Sequence, residues 1–317
     1  MLDRCRKEQW REDDIDWSRP PRALEPDDER LVVQLFTNMA GIERLAGAMF
    51  VEQARRAKDP VLRGIFETFV VDEQRHARVA ERLARHYDVR RLQRYRVDVH
   101  LARFRTHFLR AIRDLDDDVA NAYITGGELV LDIALLRSID DHVRDDTCAA
   151  AMALINRDES RHIAIDYHMV EHYASDAYEA ELAARPRRTT RERVRGAASL
   201  AMMIWHARPF FQAMFFAPMD AVDPEGRRMR EAFRHMQRLG AKPESRSRPF
   251  GRFLSVMFDA FNHPKAGPLV GHVASRLVGL DPRYMARMDS EEEVTRAAAM
   301  SYEELCRDAL EAKGRAD

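Results

Sequence analysis

The pentapeptide DEQRH at residues 72–76 returns as DESRH at 158–162, each time inside an otherwise apolar helical pattern. Placing Asp, Glu, Arg and His together on a packed helix face is costly unless these groups pair or bind a metal. On a helix Glu73 and His76 are i, i+3 neighbours that point to the same side, and Glu159 and His162 repeat the arrangement. A lone glutamate interrupts an apolar face upstream of each pair: Glu43 lies 30 residues before Glu73, and Glu128 lies 31 before Glu159. The unit helix, turn, helix is therefore used twice, and the two copies are expected to meet across a pseudo-twofold.

Apolar spacing assigns the intervening elements. Leu35, Met39, Glu43, Ala46 and Phe50 follow three- and four-residue steps on a first helix, with Asp27 or Asp28 expected as its N-cap. "KDP" at 58–60 turns the chain into a second helix with Phe66, Phe69, Glu73, His76, Ala80, Leu83 and Tyr87 on one face. A third helix over about 116–143 carries Asn121, Ile124, Glu128, Leu131 and Leu135, and a fourth carries Cys148, Met152, Ile155, Glu159, His162, Asp166 and Met169. This half shows no strand alternation, so the expected fold is all-α: an antiparallel four-helix bundle with further C-terminal helices. Residues 1–26 lack a sustained period and read as an arm on the surface, 27–184 as the bundle, and 185–317 as a helical extension packed on it.

Composition bounds the function. In 317 residues, 52 basic and 53 acidic side chains leave a net charge of −1, so no global field points to nucleic acid or a membrane. Cys5, Cys148 and Cys306 are far apart and form no C-x-x-C pair, and the first 30 residues hold no apolar signal segment; both suit the cytoplasm. The most apolar stretch, 199–220, is interrupted by His206, Arg208 and Pro209 and reads as a buried or partner-facing helix broken near Pro209.

Four antiparallel helices, two giving one Glu and two giving Glu-x-x-His, form the ligand set of carboxylate-bridged dinuclear centres. Four carboxylates match the charge of two divalent ions, and oxygen-rich sites with one imidazole per metal suit iron or manganese better than zinc. By analogy with such bundles, Glu43 and His76 cap one metal, Glu128 and His162 cap the other, and Glu73 and Glu159 bridge. Metal-bound histidines donate their outer N–H to carboxylates, so Asp72 is expected to serve His162 and Asp158 to serve His76, with Arg75 and Arg161 pairing the two aspartates. The plainer alternative for these four is a surface salt-bridge role. Gly126 and Gly127 before Glu128 suggest a local bulge or kink.

"DEQRH" and "DESRH", each preceded by a helix with a single Glu, resemble the D-E-x-R-H signature of ferritin-like non-haem di-iron oxygenases over roughly residues 30–172. That group includes multicomponent hydroxylases, acyl-carrier-protein desaturases and p-aminobenzoate N-oxygenases. The resemblance implies two iron ions, manganese in place of one being the variant, and dioxygen as co-substrate in hydroxylation, N-oxygenation or desaturation. The arylamine N-oxygenases carry a further His where this chain has Ile155, and the hydroxylases and desaturases often carry Thr where it has Leu131 and Asp132. Asp132 then reads as an extra carboxylate behind the ligands or a substrate-facing acid.

The chain has neither a Gly-rich dinucleotide fingerprint nor an iron–sulfur cysteine set, so electrons are expected from a separate ferredoxin or reductase. "RRLQRYR" at 90–96 is a solvated face or a docking patch for such an acidic partner. The substrate would be a small organic molecule or one bound to a carrier protein, and a homodimer is among the expected assemblies. Two competing readings are a ferritin-like iron-oxidising protein without an organic substrate and a structural bundle that binds no metal.

Overall fold

The computed structural model describes residues 1–91, 95–265, 267, 269, 273 and 282–314, and among them every regular element is a helix. Helix α1 (Leu2–Lys7) precedes α2 (Pro26–Arg56) and α3 (Pro60–Tyr87), which form the first long hairpin. Pro26 occupies the first turn of α2, where its fixed φ suits the helix, and Glu25 is the residue before it. Asp27 and Asp28, expected as caps, instead lie in the first turn and complement the helix dipole. Asp59 caps α3 by accepting the Val61 N–H at 2.7 Å. The hairpin is held by Phe36, Met39 and Phe50 against Phe66, Phe69 and Leu83, all at most 2% exposed. At Gly47 an added Cβ would stand 3.2 Å from the Glu73 Cβ, so the glycine lets the α2 backbone pass close beside Glu73.

After α4 (Val99–Asp114), a second long rod is made of α5 (Asp117–Leu129), a π-helical segment (Val130–Leu136) and α6 (Arg137–Val143). The widened turns begin two residues after Glu128, where the Val130 N–H meets the carbonyls of both Gly126 and Gly127. The irregularity suggested by the glycines is thus a π segment, and all seven of its residues are buried. Arg144, in the left-handed region at φ 51°, and the capping Asp145 turn the chain into α7 (Asp146–Ala174), which runs back along α5.

The remaining helices pack onto these rods. They are α8 (Asp176–Ala184), α9 (Thr190–Phe211), a second π segment (Gln212–Phe216), α10 (Ala217–Val222), α11 (Arg227–Ala241), α12 (Pro243–Ser247), α13 (Pro249–Asn262), α14 (Pro282–Met285), α15 (Glu291–Ala299) and α16 (Tyr302–Gly314). Helix α9 lies on α4, with Phe104 and Phe210 stacked at 4.1 Å, while α11 and α16 pack on the Val130–Leu136 segment. The break expected near Pro209 does not occur. The helix runs through the proline and widens immediately after it, the Gln212 N–H reaching the carbonyls of Arg208 and Pro209. No helix among the described residues is long and apolar enough to cross a membrane.

The N-terminal arm departs from expectation. Cys5, Trp10 and Ile15 are at most 6% exposed, and α1 rests on α3, where a Cβ at Gly64 would meet Leu2 at 3.1 Å. These anchors sit on a short helix and an extended stretch, so they have no common period to read.

Candidate metal centre

Glu43 on α2, Glu73 and His76 on α3, Glu128 on α5, and Glu159 and His162 on α7 are all brought together in the interior, none more than 4% exposed. Ligand atoms of Glu43, Glu73, His76 and Glu159 lie within 4.8 Å of one another, and so do those of Glu128, Glu159 and His162. Glu159 belongs to both groups, with Oε1 3.0 Å from His76 Nδ1 and Oε2 2.8 Å from His162 Nδ1. Glu73, grouped with His76, also stands 3.2 Å from His162 Nδ1. These atoms converge without hydrogen-bond alignment, and both oxygens of Glu43, Glu73 and Glu159 lack a hydrogen-bond partner. Among the described residues, no Lys or Arg lies within 4.0 Å of these four glutamates; the close ionic neighbours of Glu43, Glu73 and Glu159 are the two histidines. Four buried carboxylates with no fixed cation and two imidazoles facing the same points suit a pair of divalent ions.

The outer nitrogens of the histidines face aspartates from the opposite motif. His76 Nε2 stands 3.1 Å from Asp158 Oδ2, and His162 Nε2 stands 3.6 Å from Asp72 Oδ2. Arg75 binds both aspartates, reaching Asp158 at 2.7 Å, and Arg161 reaches Asp158 at 2.7 Å and Asp72 at 3.3 Å. All four are at most 4% exposed, which excludes the surface salt-bridge reading. The arm completes this layer: Trp10 donates its indole N–H to Asp158 at 2.6 Å, Gln9 donates to Asp72 at 3.0 Å, and Glu8 pairs with Arg161 at 3.0 Å. Their isolated polar positions outside any helical period carried no sequence signal.

Asp132 sits one turn after Glu128, fully buried, and pairs with Lys313 of α16 at 3.2 Å. Lys313 also donates to the Asn156 carbonyl at 2.7 Å and to Ser160 Oγ at 3.2 Å. Asp132 is therefore matched by a cation from the C-terminal helix. Asp166 on α7, one turn past His162, is fully buried too, but neither of its oxygens has a hydrogen-bond partner. His168 and His172 are exposed, as their positions off the Glu159 face suggest.

The electrostatics reflect this crowding. Burial, followed by the charges of Glu159 and Glu43, pushes Glu73 well above the usual carboxylate range; burial, Glu159 and Asp166 do the same to Glu128. Burial also opposes ionisation of Glu159, but His162 and His76 outweigh it and hold that carboxyl low. Burial works against protonation of both histidines, yet Glu159 and Asp72 raise His162 to about 9, and Asp158, Glu159 and Glu43 hold His76 well above its ordinary range. Without metal the imidazoles act as the cations of the site.

A cavity of about 410 Å³ lies against α5 and α7, lined by Asn121, Thr125, Gly127, Val170, Phe211 and Phe233 among others. Its volume falls in the ~300–1,000 Å³ range of small-molecule pockets. The apolar stretch after residue 199 thus contributes both core and wall. In the 90–96 segment, Arg90 is committed to Glu29 and to the Leu24 carbonyl, and Leu92, Gln93 and Arg94 lie outside the described residues.

No protein-family model, curated protein or solved structure matches the chain.

Proposed function

We propose that the chain is a ferritin-like di-iron carboxylate oxygenase that oxidises a small organic substrate. One observation carries this reading: four buried glutamates without a lysine or arginine counter-charge converge with two histidines whose outer nitrogens face aspartates. Bound iron, with manganese replacing one ion as the variant, would supply reductive activation of dioxygen. Glu43 and His76 would hold one ion, Glu128 and His162 the other, with Glu73 and Glu159 shared between them. With metal bound, Asp158 would hold the His76 proton on Nε2 and leave the Nδ1 lone pair facing inward, while Asp72 faces His162 Nε2 at 3.6 Å, beyond hydrogen-bond distance. Phe50 and Phe69 pack against the His162 ring, at 5.2 and 4.0 Å, and keep water from that side.

The cavity beside the Glu128 helix supports an organic substrate over iron oxidation alone. Electrons would come from a separate ferredoxin or reductase. Metal analysis of protein expressed with iron tests the reading: about two ions per chain are expected from the ligand count. Glu73→Ala and His162→Ala should abolish loading while His168→Ala retains it. Fewer than about one ion per two chains in the wild type, against the two expected of such a ligand set, refutes the dinuclear centre.

A further inference from the structure

The charges on the cavity wall do not balance. Among the described residues Arg238, Arg246 and Arg248 line it, with Asp118 and Asp289 as the carboxylates. Arg238 is matched by Asp289 at 2.6 Å, and Asp118 lies in the first turn of α5, where the helix dipole favours a negative charge. Arg246 is exposed and reaches the Gly240 carbonyl at 3.4 Å, with no carboxylate within 4.0 Å among the described residues. Arg248 donates from Nη2 to the Ser175 carbonyl at 2.8 Å; its nearest carboxylate is the exposed Glu179 at 3.9 Å, and its Nε is buried without a partner. Two turns along the same face of α13, the Ser255 hydroxyl also lines the cavity and also lacks a partner. The N-terminus of α13, which no side chain caps, opens at Arg248. Unused N–H donors on two unmatched guanidinium groups, beside the positive end of a helix, select an anion.

The remaining wall is mainly apolar, and it is long. Arg248 is fixed at the level of Ser175, the C-cap of α7. The cavity also meets Gly127, where an added Cβ would touch nothing within 4 Å and which immediately precedes Glu128. Glu128 is grouped with Glu159, and Glu159 lies sixteen residues, ~24 Å, before Ser175 along α7. The unmatched arginines and the carboxylate cluster therefore stand at opposite ends of the cavity. A ligand that satisfies both the arginines and the apolar wall is elongated and charged only at its head.

We propose that the cavity binds an elongated apolar carboxylic acid as its anion, the carboxylate held by Arg246 and Arg248 and the hydrocarbon body lying along Phe211, Phe216 and Phe233 toward Gly127. This assignment rests on the oxygenase reading and deepens it by naming the substrate class and the end of the molecule that lies nearest Glu128. Its binding test can fail independently of metal loading.

The experiment is calorimetric titration of the iron-loaded full chain with decanoate, decan-1-ol, decylammonium and butanoate. Decanoate should bind about tenfold or more tightly than decan-1-ol, as a charge-assisted contact requires, and decylammonium should bind more weakly than either. Butanoate, which lacks most of the apolar body, should bind about a hundredfold or more weakly than decanoate. Arg246→Gln combined with Arg248→Gln should bring decanoate down to the level of decan-1-ol while metal content stays at its wild-type value. Equal affinity of decanoate and decan-1-ol, tighter binding of decylammonium, equal affinity of butanoate and decanoate, or no decanoate binding overturns the proposal, and these comparisons need no variant to fold. A decanoate preference that survives the double variant overturns it as well, because the carboxylate would then be held elsewhere, the metal ions included. A wild type that takes up no metal yet keeps the decanoate preference refutes the oxygenase reading and leaves the cavity assignment standing.

Discussion

Replacing Lys313 by Met keeps the length of the side chain and removes its charge, leaving Asp132 in a fully buried position without its cation. At 3.2 Å the pair attracts by about 5 kcal/mol at an effective dielectric of 20. Removal of one partner from buried pairs costs ~3–5 kcal/mol. The cost is limited by the ability of Asp132 to take up a proton. Burial pushes its carboxyl up to about 7, with Lys313 pulling it down and Glu159 pushing it up, and loss of Lys313 raises it further. Below pH 7 Asp132 is protonated in both proteins, so the charge contributes little to their difference. As the pH rises through 7 the wild type ionises Asp132 beside Lys313, while the variant must bury that charge alone. Urea unfolding of metal-stripped protein should give a destabilisation of ~1–2 kcal/mol at pH 6, from the hydrogen bonds lost at Asn156 and Ser160. At pH 9 it should approach ~3–5 kcal/mol. The double variant Asp132→Asn with Lys313→Met should recover most of the pH 9 loss. A pH-independent penalty, a loss below about 0.5 kcal/mol at pH 9, or no recovery in the double variant would refute the argument.

Two further outcomes follow from the same layers. Trp10→Phe keeps the ring and deletes the 2.6 Å hydrogen bond to Asp158; stability should fall by ~1.5–3 kcal/mol, and iron affinity measured by chelator competition by ~10–100-fold, whereas unchanged affinity would show that Trp10 does not act on His76. Metal-stripped protein should lose thermal stability as the pH rises from 6.5 to about 9, because the raised His162 contributes fully below its ordinary value of 6.5 and is lost as it deprotonates near 9. The decline should disappear on loading iron, and a metal-stripped melting temperature that stays flat across this window would contradict the charge assignment.

How much could be read in advance depended on the range of the signal. The convergence of Glu43, Glu73, His76, Glu128, Glu159 and His162 was legible because helical periodicity reports faces and the repeat reports their pairing. Of the two aspartates expected to serve the opposite histidine, Asp158 reaches His76 at 3.1 Å, while Asp72 stands 3.6 Å from His162, beyond hydrogen-bond distance. The N-cap of α2 was misplaced by two or three residues, since acidic residues serve both as caps and in the first turn. Pro209 read as a break, although a helix with a widened turn can absorb a missing N–H. Trp10 and Gln9 were read as surface because nothing periodic links them to the motifs they cover, more than 60 residues away.

The sequence alone determined an all-helical chain with a doubled set of inward carboxylates and imidazoles, because i, i+3 spacing on an apolar face leaves those groups no other direction. Only the tertiary structure decided which charges are matched. It carried Lys313 across 181 residues to Asp132 and folded the arm over Asp158, yet left both oxygens of the buried Asp166 without a hydrogen-bond partner. Charge balance in a buried site is a sum over every element that reaches it, and local spacing carries no record of elements that arrive from far along the chain.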